Sequence, residues 1–185
     1  MKIRTRRFFR NPMMLLGVLL CFVASLISFS HGVADFNQGT QGYFRGNISF
    51  EANQEHSFKT SKVVVKKLNE RGGNSITIMA TDDSTSESVY VKLYNVDKAS
   101  TFFIPGNGLH KNTGNIVKDA DQYRDLSNFY QASLPNAEGL LNGVGRVNIV
   151  KLTDDEIEGE IIIMANNSEG EQAQLSWSKF KARIQ

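Results

Sequence analysis

Cysteine is nearly absent from this chain of 185 residues, and the only one, Cys21, lies inside an apolar run near the N-terminus. No disulfide framework and no cysteine-ligated metal site can therefore form after residue 30. Proline is also scarce, with 3 residues against 15 glycines, so turns must come mainly from Gly, Asn, Asp and Ser. The fold beyond residue 30 depends on its hydrophobic core, and about 150 residues suffice for that.

Acidic residues are missing from the first thirty positions, which carry five positive charges: Lys2, Arg4, Arg6, Arg7 and Arg10. The net charge of +2 for the whole chain therefore becomes −3 for residues 31–185, which hold 16 basic and 19 acidic residues. A mildly acidic domain lacks the basic surface that is typical of nucleic-acid-binding proteins. We therefore expect no nucleic acid among its partners.

The basic stretch is followed by seventeen residues without a charge, MMLLGVLLCFVASLISF, and then by small residues. This order is the three-part pattern of a secretory signal peptide, and cleavage after Ser30 or Ala34 fits it. The alternative is an uncleaved anchor, because the run approaches the ~20 residues that span a bilayer. The sequence thus predicts a signal peptide or signal anchor at 1–34 and a short tether at 35–42. The protein is expected to be exported, whether periplasmic, on the cell surface or secreted, and to contact the membrane only through an uncleaved leader.

Residues 43–185 are predicted to form a single β domain, because short apolar segments alternate with polar residues at period two between turn signals. Examples are SITIMA at 75–80 and SVYVKLY at 88–94. About eight such segments and no long helical pattern predict an antiparallel β-sandwich, with an up-and-down β-barrel as the alternative.

Three strands are predicted to close the domain at its C-terminus. In the middle one, Ile161 and Ile163 share one face and Ile162 lies on the other, which predicts that this strand is covered on both sides. In the last one, the apolar phase slips between Trp177 and Phe180, which predicts a β-bulge there. Trp177 itself is expected to pack in the core.

Three stretches resemble, in this order, an opening pair of strands, a strand that runs into a Pro-Gly turn and a closing triplet of strands. They are ISFEANQEHSFKTS, SVYVKLYNVDKASTFFIPG and GRVNIVKLTDDEIEGEIIIMANNSEGEQAQLSWSKFKARI. Together they are similar to a group of small exported bacterial envelope domains of unknown function, many of them lipoproteins. The resemblance covers most of residues 43–185 and implies a β-sandwich-like fold and an envelope location. It supplies no catalytic residues, and the chain departs from the lipoprotein form because it lacks a suitable lipidation cysteine.

The segment 105–143 differs from the rest, since it is nearly forty residues long, rich in Gly and Asn, and weakly periodic. Connections of this length are usually functional or partly disordered. The segment holds Tyr123, Phe129 and Tyr130, which are the candidate ligand-binding residues. They are predicted either to stack on a sugar ring or a partner side chain, or to pin the loop to the sheet.

An acidic cluster in the same segment, Asp119, Asp121 and Asp125, is the candidate metal site. Carboxylates at positions i and i+2 begin a calcium-binding loop, because hard oxygen ligands must converge on one cation. The pattern then departs from an EF-hand, since Arg124 stands where the loop needs glycine and Tyr130 where it needs glutamate. A solvated acidic loop is the alternative.

The sequence contains no nucleophile elbow and no histidine or cysteine at metal-ligand spacing, so we predict no catalytic residues and no cofactor. The expected function is that of a non-enzymatic exported domain that binds a glycan or an envelope protein through the 105–143 segment. Two alternatives stay open. One is a hydrolase of an extracellular or envelope polymer that uses Asp119 and Asp125 as acid and base, and the other is a purely structural domain.

Overall fold

The computed structural model of the protein describes residues 42–51, 55–70, 73–122, 124–133 and 143–185. All of them belong to the unit Thr40–Gln185. The predicted leader at 1–34 lies outside the described residues, as does the tether apart from Gly42. Within the described ranges, no helix is long and apolar enough to cross a membrane.

Strands dominate the described part of the chain, and only two short 3-10 turns, Ala120–Gln122 and Leu126–Asn128, interrupt them. The eleven strands are β1 (Tyr43–Phe50), β2 (His56–Thr60), β3 (Val63–Glu70), β4 (Gly73–Asp82), β5 (Glu87–Tyr94), β6 (Thr101–Ile104), β7 (Thr113–Val117), β8 (Phe129–Gln131), β9 (Val144–Leu152), β10 (Glu156–Asn166) and β11 (Gln172–Arg183). Most of them alternate buried and exposed side chains, as expected for a sheet with one face on a core and one in water.

The strands form one sheet in the order β2-β1-β11-β10-β8-β7-β5-β4-β3, with β9 added to β10 and β6 to β9. The sheet branches at β10. Most of the length of β10 pairs with β9, while Asn166 at its end pairs with Gln131 of β8. The far edge returns to the end of β11: Val65 of β3 bridges Ile184, and the Gln185 N–H donates to the Val65 carbonyl at 2.9 Å. The sheet therefore nearly closes on itself, and the predicted all-β antiparallel fold is confirmed.

One continuous cluster of buried side chains fills the inside of the curved sheet. Its branched aliphatic members come from strands in different parts of the sheet, such as Ile78 of β4 and Ile161 of β10. Its aromatic members meet beside β11, where the Phe44 ring lies 5.4 Å from Phe58 in an edge-on contact and 6.4 Å from Phe180 in a stack. Each fully buried side chain of this size contributes about 1.5–3 kcal/mol, which makes this core the main stabilising element.

The segment 105–143, which the sequence predicted as a long loop, contributes two strands to the sheet. β7 pairs with β5, and β8 pairs with β7. These strands have only 5 and 3 residues, which is too short for a period-two pattern to reveal them. Residues 134–142 of the segment lie outside the described residues.

β10 is covered on one side only, which corrects the expectation of a strand buried on both faces. Ile161 and Ile163 are fully buried, but Ile162 between them is 39% exposed. The outward side of β10 continues across its neighbours β9 and β11 as a surface open to solvent. Ile162 is therefore an apolar side chain in the middle of a surface that is open to solvent.

Candidate functional site

Trp177 is a solvent-exposed side chain, 85% exposed, and this corrects the expectation that it packs in the core. A bulge in β11 places it there: Ile161 pairs with Ser178 and Ile163 with Leu175, so β11 has one residue too many. The predicted bulge is therefore present, but at Ser176 and Trp177, slightly before the expected position. The backbone of Trp177 has φ of +49°, a left-handed conformation that costs a bulky residue about 1–2 kcal/mol.

The bulge is held in place from beneath by Ser178 and Gly46. The buried Ser178 hydroxyl accepts a hydrogen bond from the Ile161 N–H at 3.0 Å and donates one to the Ile161 carbonyl. Gly46 of β1 allows close approach, since an added Cβ would lie 2.8 Å from the Ser178 Cβ. A strained residue that its surroundings fix in place is typical of functional sites, so the bulge marks Trp177 as a candidate.

A line of outward side chains runs from Trp177 across three further strands. The register places Ile162 of β10 beside the bulge, Arg146 of β9 opposite Ile162, and Phe103 of β6 opposite Arg146. Phe103 is 62% exposed. We call these four residues, Phe103, Arg146, Ile162 and Trp177, the transverse row. Since neighbouring strands lie ~4.8 Å apart, its two aromatic ends are separated by about 14 Å.

A shallow groove of about 200 Å³ lies in the middle of the transverse row. Its lining residues are Thr101, Arg146, Asn148, Glu160 and Ile162. The Thr101 hydroxyl donates to the Asn148 side-chain oxygen at 3.1 Å, and the Lys179 ammonium lies 3.7 Å from the Glu160 carboxylate. The groove is therefore polar and rich in hydrogen-bonding groups, between two exposed aromatic rings.

Basic side chains outnumber acidic ones on the same outward face. The outward cations of β1, β2, β9 and β11 are Arg45, Lys59, Arg146, Lys151, Lys179, Lys181 and Arg183, and the outward anions are Glu156, Glu158 and Glu160 of β10 and Glu55 before β2, which accepts a hydrogen bond from the Ser176 hydroxyl beside Trp177. Hydrogen bonds from Lys151 at 2.5 Å and from Lys181 hold the pKa of Glu156 below its usual value, so this carboxylate is neutralised locally. Because residues 31–185 carry −3 in total, positive charge is concentrated on this face.

The two described residues of the predicted aromatic ligand site, Phe129 and Tyr130, do not belong to the transverse row. Tyr123 lies outside the described residues, and Phe129 is half-buried at the start of β8. Tyr130 is fully buried, with its ring 5.4 Å from that of Phe50. It therefore pins its segment to the core, which was the alternative prediction, and offers no ring to a ligand.

Tyr130 also occupies a distinctive electrostatic environment. Burial, followed by the nearby carboxylates of Glu171, Glu51 and Glu169, raises its pKa to about 12, against a hydrogen bond with the Asn167 side chain that lowers it. The same Asn167 amide donates to the Ser127 carbonyl at 3.0 Å. Asn167 thereby joins the segment before β8 to the turn after β10.

The three aspartates predicted as a calcium site serve their own chain segments. Asp119 accepts from the Asp121 N–H at 3.0 Å, and Asp121 accepts from the Ser86 hydroxyl at 2.8 Å. Asp125 caps the second 3-10 turn by accepting from the N–H and hydroxyl of Ser127, which lowers its pKa. Among the described residues, no three or more His, Cys, Asp or Glu side chains converge as metal ligands. The lowered pKa of Asp125 favours its ionised form, which does not suit the acid of the acid–base pair predicted for Asp119 and Asp125.

Sequence reasoning missed the transverse row because its members lie on four different strands. Phe103 and Trp177 are separated by more than seventy residues, and only the register between β6, β9, β10 and β11 aligns them. One signal was available, the phase slip in β11, since bulges recur beside functional sites. Comparison of the chain with models of protein families, with curated proteins and with solved structures found no match.

Proposed function

We propose that this protein is an exported, non-enzymatic binding domain whose ligand lies on the outward face of β6, β9, β10 and β11. The observation that carries the proposal is Trp177, a large apolar ring held in solvent by a strained bulge. An exposed tryptophan lacks the hydrophobic free energy that burial of its ring would give, and its left-handed backbone is an additional cost. A ligand that covers the ring gains that hydrophobic free energy, and Trp combines a large contact area with few rotatable bonds.

The surroundings of Trp177 support a binding role for the whole row. Phe103 and Ile162 add exposed apolar surface, and the groove between them adds polar groups that can fix the orientation of a ligand. The strands beneath are well packed, so the face is rigid and little ordering entropy is lost on binding. The basic leader followed by an uncharged run supports export to the periplasm, the cell surface or the medium.

A thermal-shift screen of the purified protein against neutral glycans, acidic glycans and envelope proteins tests the proposal. A ligand that binds only the folded state stabilises it by ~2.7 kcal/mol at a hundred times its Kd, so a binder raises the Tm. We expect Trp177→Ala to abolish the shift. The matched control is Leu109→Ala, since Leu109 is 93% exposed but lies in the turn between β6 and β7. A shift that survives Trp177→Ala, or a screen without any shift, contradicts the proposal.

A further inference from the structure

We infer that the transverse row binds an acidic oligosaccharide, a sugar chain bearing carboxylate groups, laid across the strands with Trp177 under one ring and Arg146 on a carboxylate. This inference rests on the proposed function and specifies its ligand. It follows from three properties of the face: the placement of the aromatic rings, the polarity between them and the sign of the charge.

The aromatic rings fit the faces of sugar rings. A pyranose presents C–H groups on its faces and hydroxyls around its rim, and the C–H hydrogens are attracted to the electron-rich face of an indole. Trp177 and Phe103 lie at the two ends of the row, about 14 Å apart across three strand spacings. A single sugar ring cannot reach both, so the spacing favours a chain of several sugars.

The order of polar and apolar groups favours a glycan over a protein. A protein interface has an apolar centre and a polar rim. In this face four of the five residues that line the central groove are polar, Thr101, Arg146, Asn148 and Glu160, with Ile162 as the one apolar residue, and the exposed aromatic rings flank the groove. A central groove rich in donors and acceptors suits a ligand whose hydroxyls must be hydrogen-bonded, because unpaired polar groups lose binding energy.

The charges favour an acidic chain over a neutral one. Arg146 lines the groove, and no carboxylate of the described residues lies within 4.0 Å of its guanidinium. The neighbouring carboxylate of Glu160 is already close to Lys179. A free guanidinium is suited to bidentate recognition of a carboxylate. The surplus of cations on the face, within a domain of net negative charge, adds long-range attraction for a polyanion.

Trp177 provides a direct readout, because it is the only tryptophan in the chain. The probes are a pentamer of galacturonic acid and its fully methyl-esterified form, in which each charged carboxylate is replaced by a neutral methyl ester on the same sugar chain. Both are titrated into the full-length protein while the intrinsic fluorescence and its quenching by acrylamide are recorded. We expect the acidic pentamer to shift the emission of Trp177 to the blue and to protect the indole from acrylamide. The ester should bind at least tenfold more weakly, because it cannot form the charged hydrogen bonds that the carboxylates form.

Two variants separate the Arg146 contact from general attraction. Arg146→Gln is expected to weaken binding of the acidic pentamer about tenfold or more and to leave binding of the ester unchanged. Arg183→Gln removes the same charge from the outward side of β11, about 20 Å from the bulge at ~3.3 Å per residue, and is expected to change affinity less than twofold at physiological salt. Equal Tm values for both variants and the wild type exclude misfolding as the cause.

The possible results distinguish a failure of this inference from a failure of the proposed function. Equal affinity for the acid and the ester, or an unchanged affinity in Arg146→Gln, overturns the acidic-glycan inference while the face remains a binding site. Protection of Trp177 by a purified envelope protein or by vesicles of anionic lipid, but by neither pentamer, has the same consequence. If no probe in the wider screen protects Trp177 or raises the Tm, both the inference and the proposed function fail.

Discussion

Tyr130 and Trp177 are aromatic side chains of similar size in opposite environments. The Tyr130 ring is fully buried beside Phe50, where it joins β8 to the core. The Trp177 ring is 85% exposed on a bulge whose backbone is strained. Tyr130 stabilises the fold, whereas Trp177 has a backbone conformation that lowers stability and is held in it by the residues beneath the bulge. Binding residues and stabilising residues can thus be distinguished by what their removal does to the free energy of unfolding.

The largest contrast is expected from truncating each ring. Tyr130→Ala should lower the free energy of unfolding by about 3–5 kcal/mol, because it removes a large buried side chain and leaves a cavity. Trp177→Ala should change it by less than about 0.5 kcal/mol, as an exposed position does. Urea denaturation of both variants, followed by circular dichroism, measures the difference. Similar losses in the two variants would show that Trp177 contributes to the core and would remove the distinction.

The free energy of unfolding should depend on pH through the buried phenol of Tyr130. Its pKa is raised to about 12 from 10.0, so the neutral phenol is favoured in the folded state. The corresponding stability is fully present below pH 10 and is lost as the pH rises from 10 to 12. We expect the free energy of unfolding to fall in this window by roughly 2–3 kcal/mol more in the wild type than in Tyr130→Phe.

Denaturation curves at several pH values between 8 and 12 measure this difference. Parallel profiles for Tyr130→Phe and the wild type would contradict the buried phenol.

The support beneath the bulge is tested by Ser178→Ala. This change removes the hydroxyl that satisfies both the N–H and the carbonyl of Ile161. Buried groups without partners should then cost about 1–3 kcal/mol of stability. The fluorescence maximum of Trp177 should also move, because the bulge loses its anchor. Ser57→Ala on β2, which removes an exposed hydroxyl from the outward side of the sheet, should alter neither quantity.

The smallest effect concerns the strain at Trp177 itself. With φ at +49°, Trp177→Gly should be more stable than Trp177→Ala by about 1 kcal/mol. An ordinary strand position gives the reverse order, because glycine there costs roughly 0.5–1 kcal/mol relative to alanine. Thermal denaturation of the two variants measures their order. If alanine is the more stable, the left-handed conformation is not maintained in solution and the bulge does not store strain.

Several elements of the domain could be predicted from the sequence because their signals are local. The alternation in SITIMA and SVYVKLY predicted β4 and β5, and the phase slip between Trp177 and Phe180 predicted a bulge in β11, which lies slightly earlier, at Ser176 and Trp177. β7 and β8 could not be predicted, since strands of 5 and 3 residues carry no clear period. Their stability comes from pairing with β5 and from the burial of Tyr130, which depend on distant residues.

The sequence by itself determined an all-β antiparallel domain, because period-two alternation and turn residues act over a few positions. Only the tertiary structure decided which aromatic ring is exposed. The orientation of Trp177 depends on the register of β11 against β10 and on the absence of a side chain at Gly46. The burial of Tyr130 depends on Phe50 and Asn167, far away in the chain. The exposure of a side chain is set by the neighbours that reach it, and those neighbours are fixed only when the strands pair.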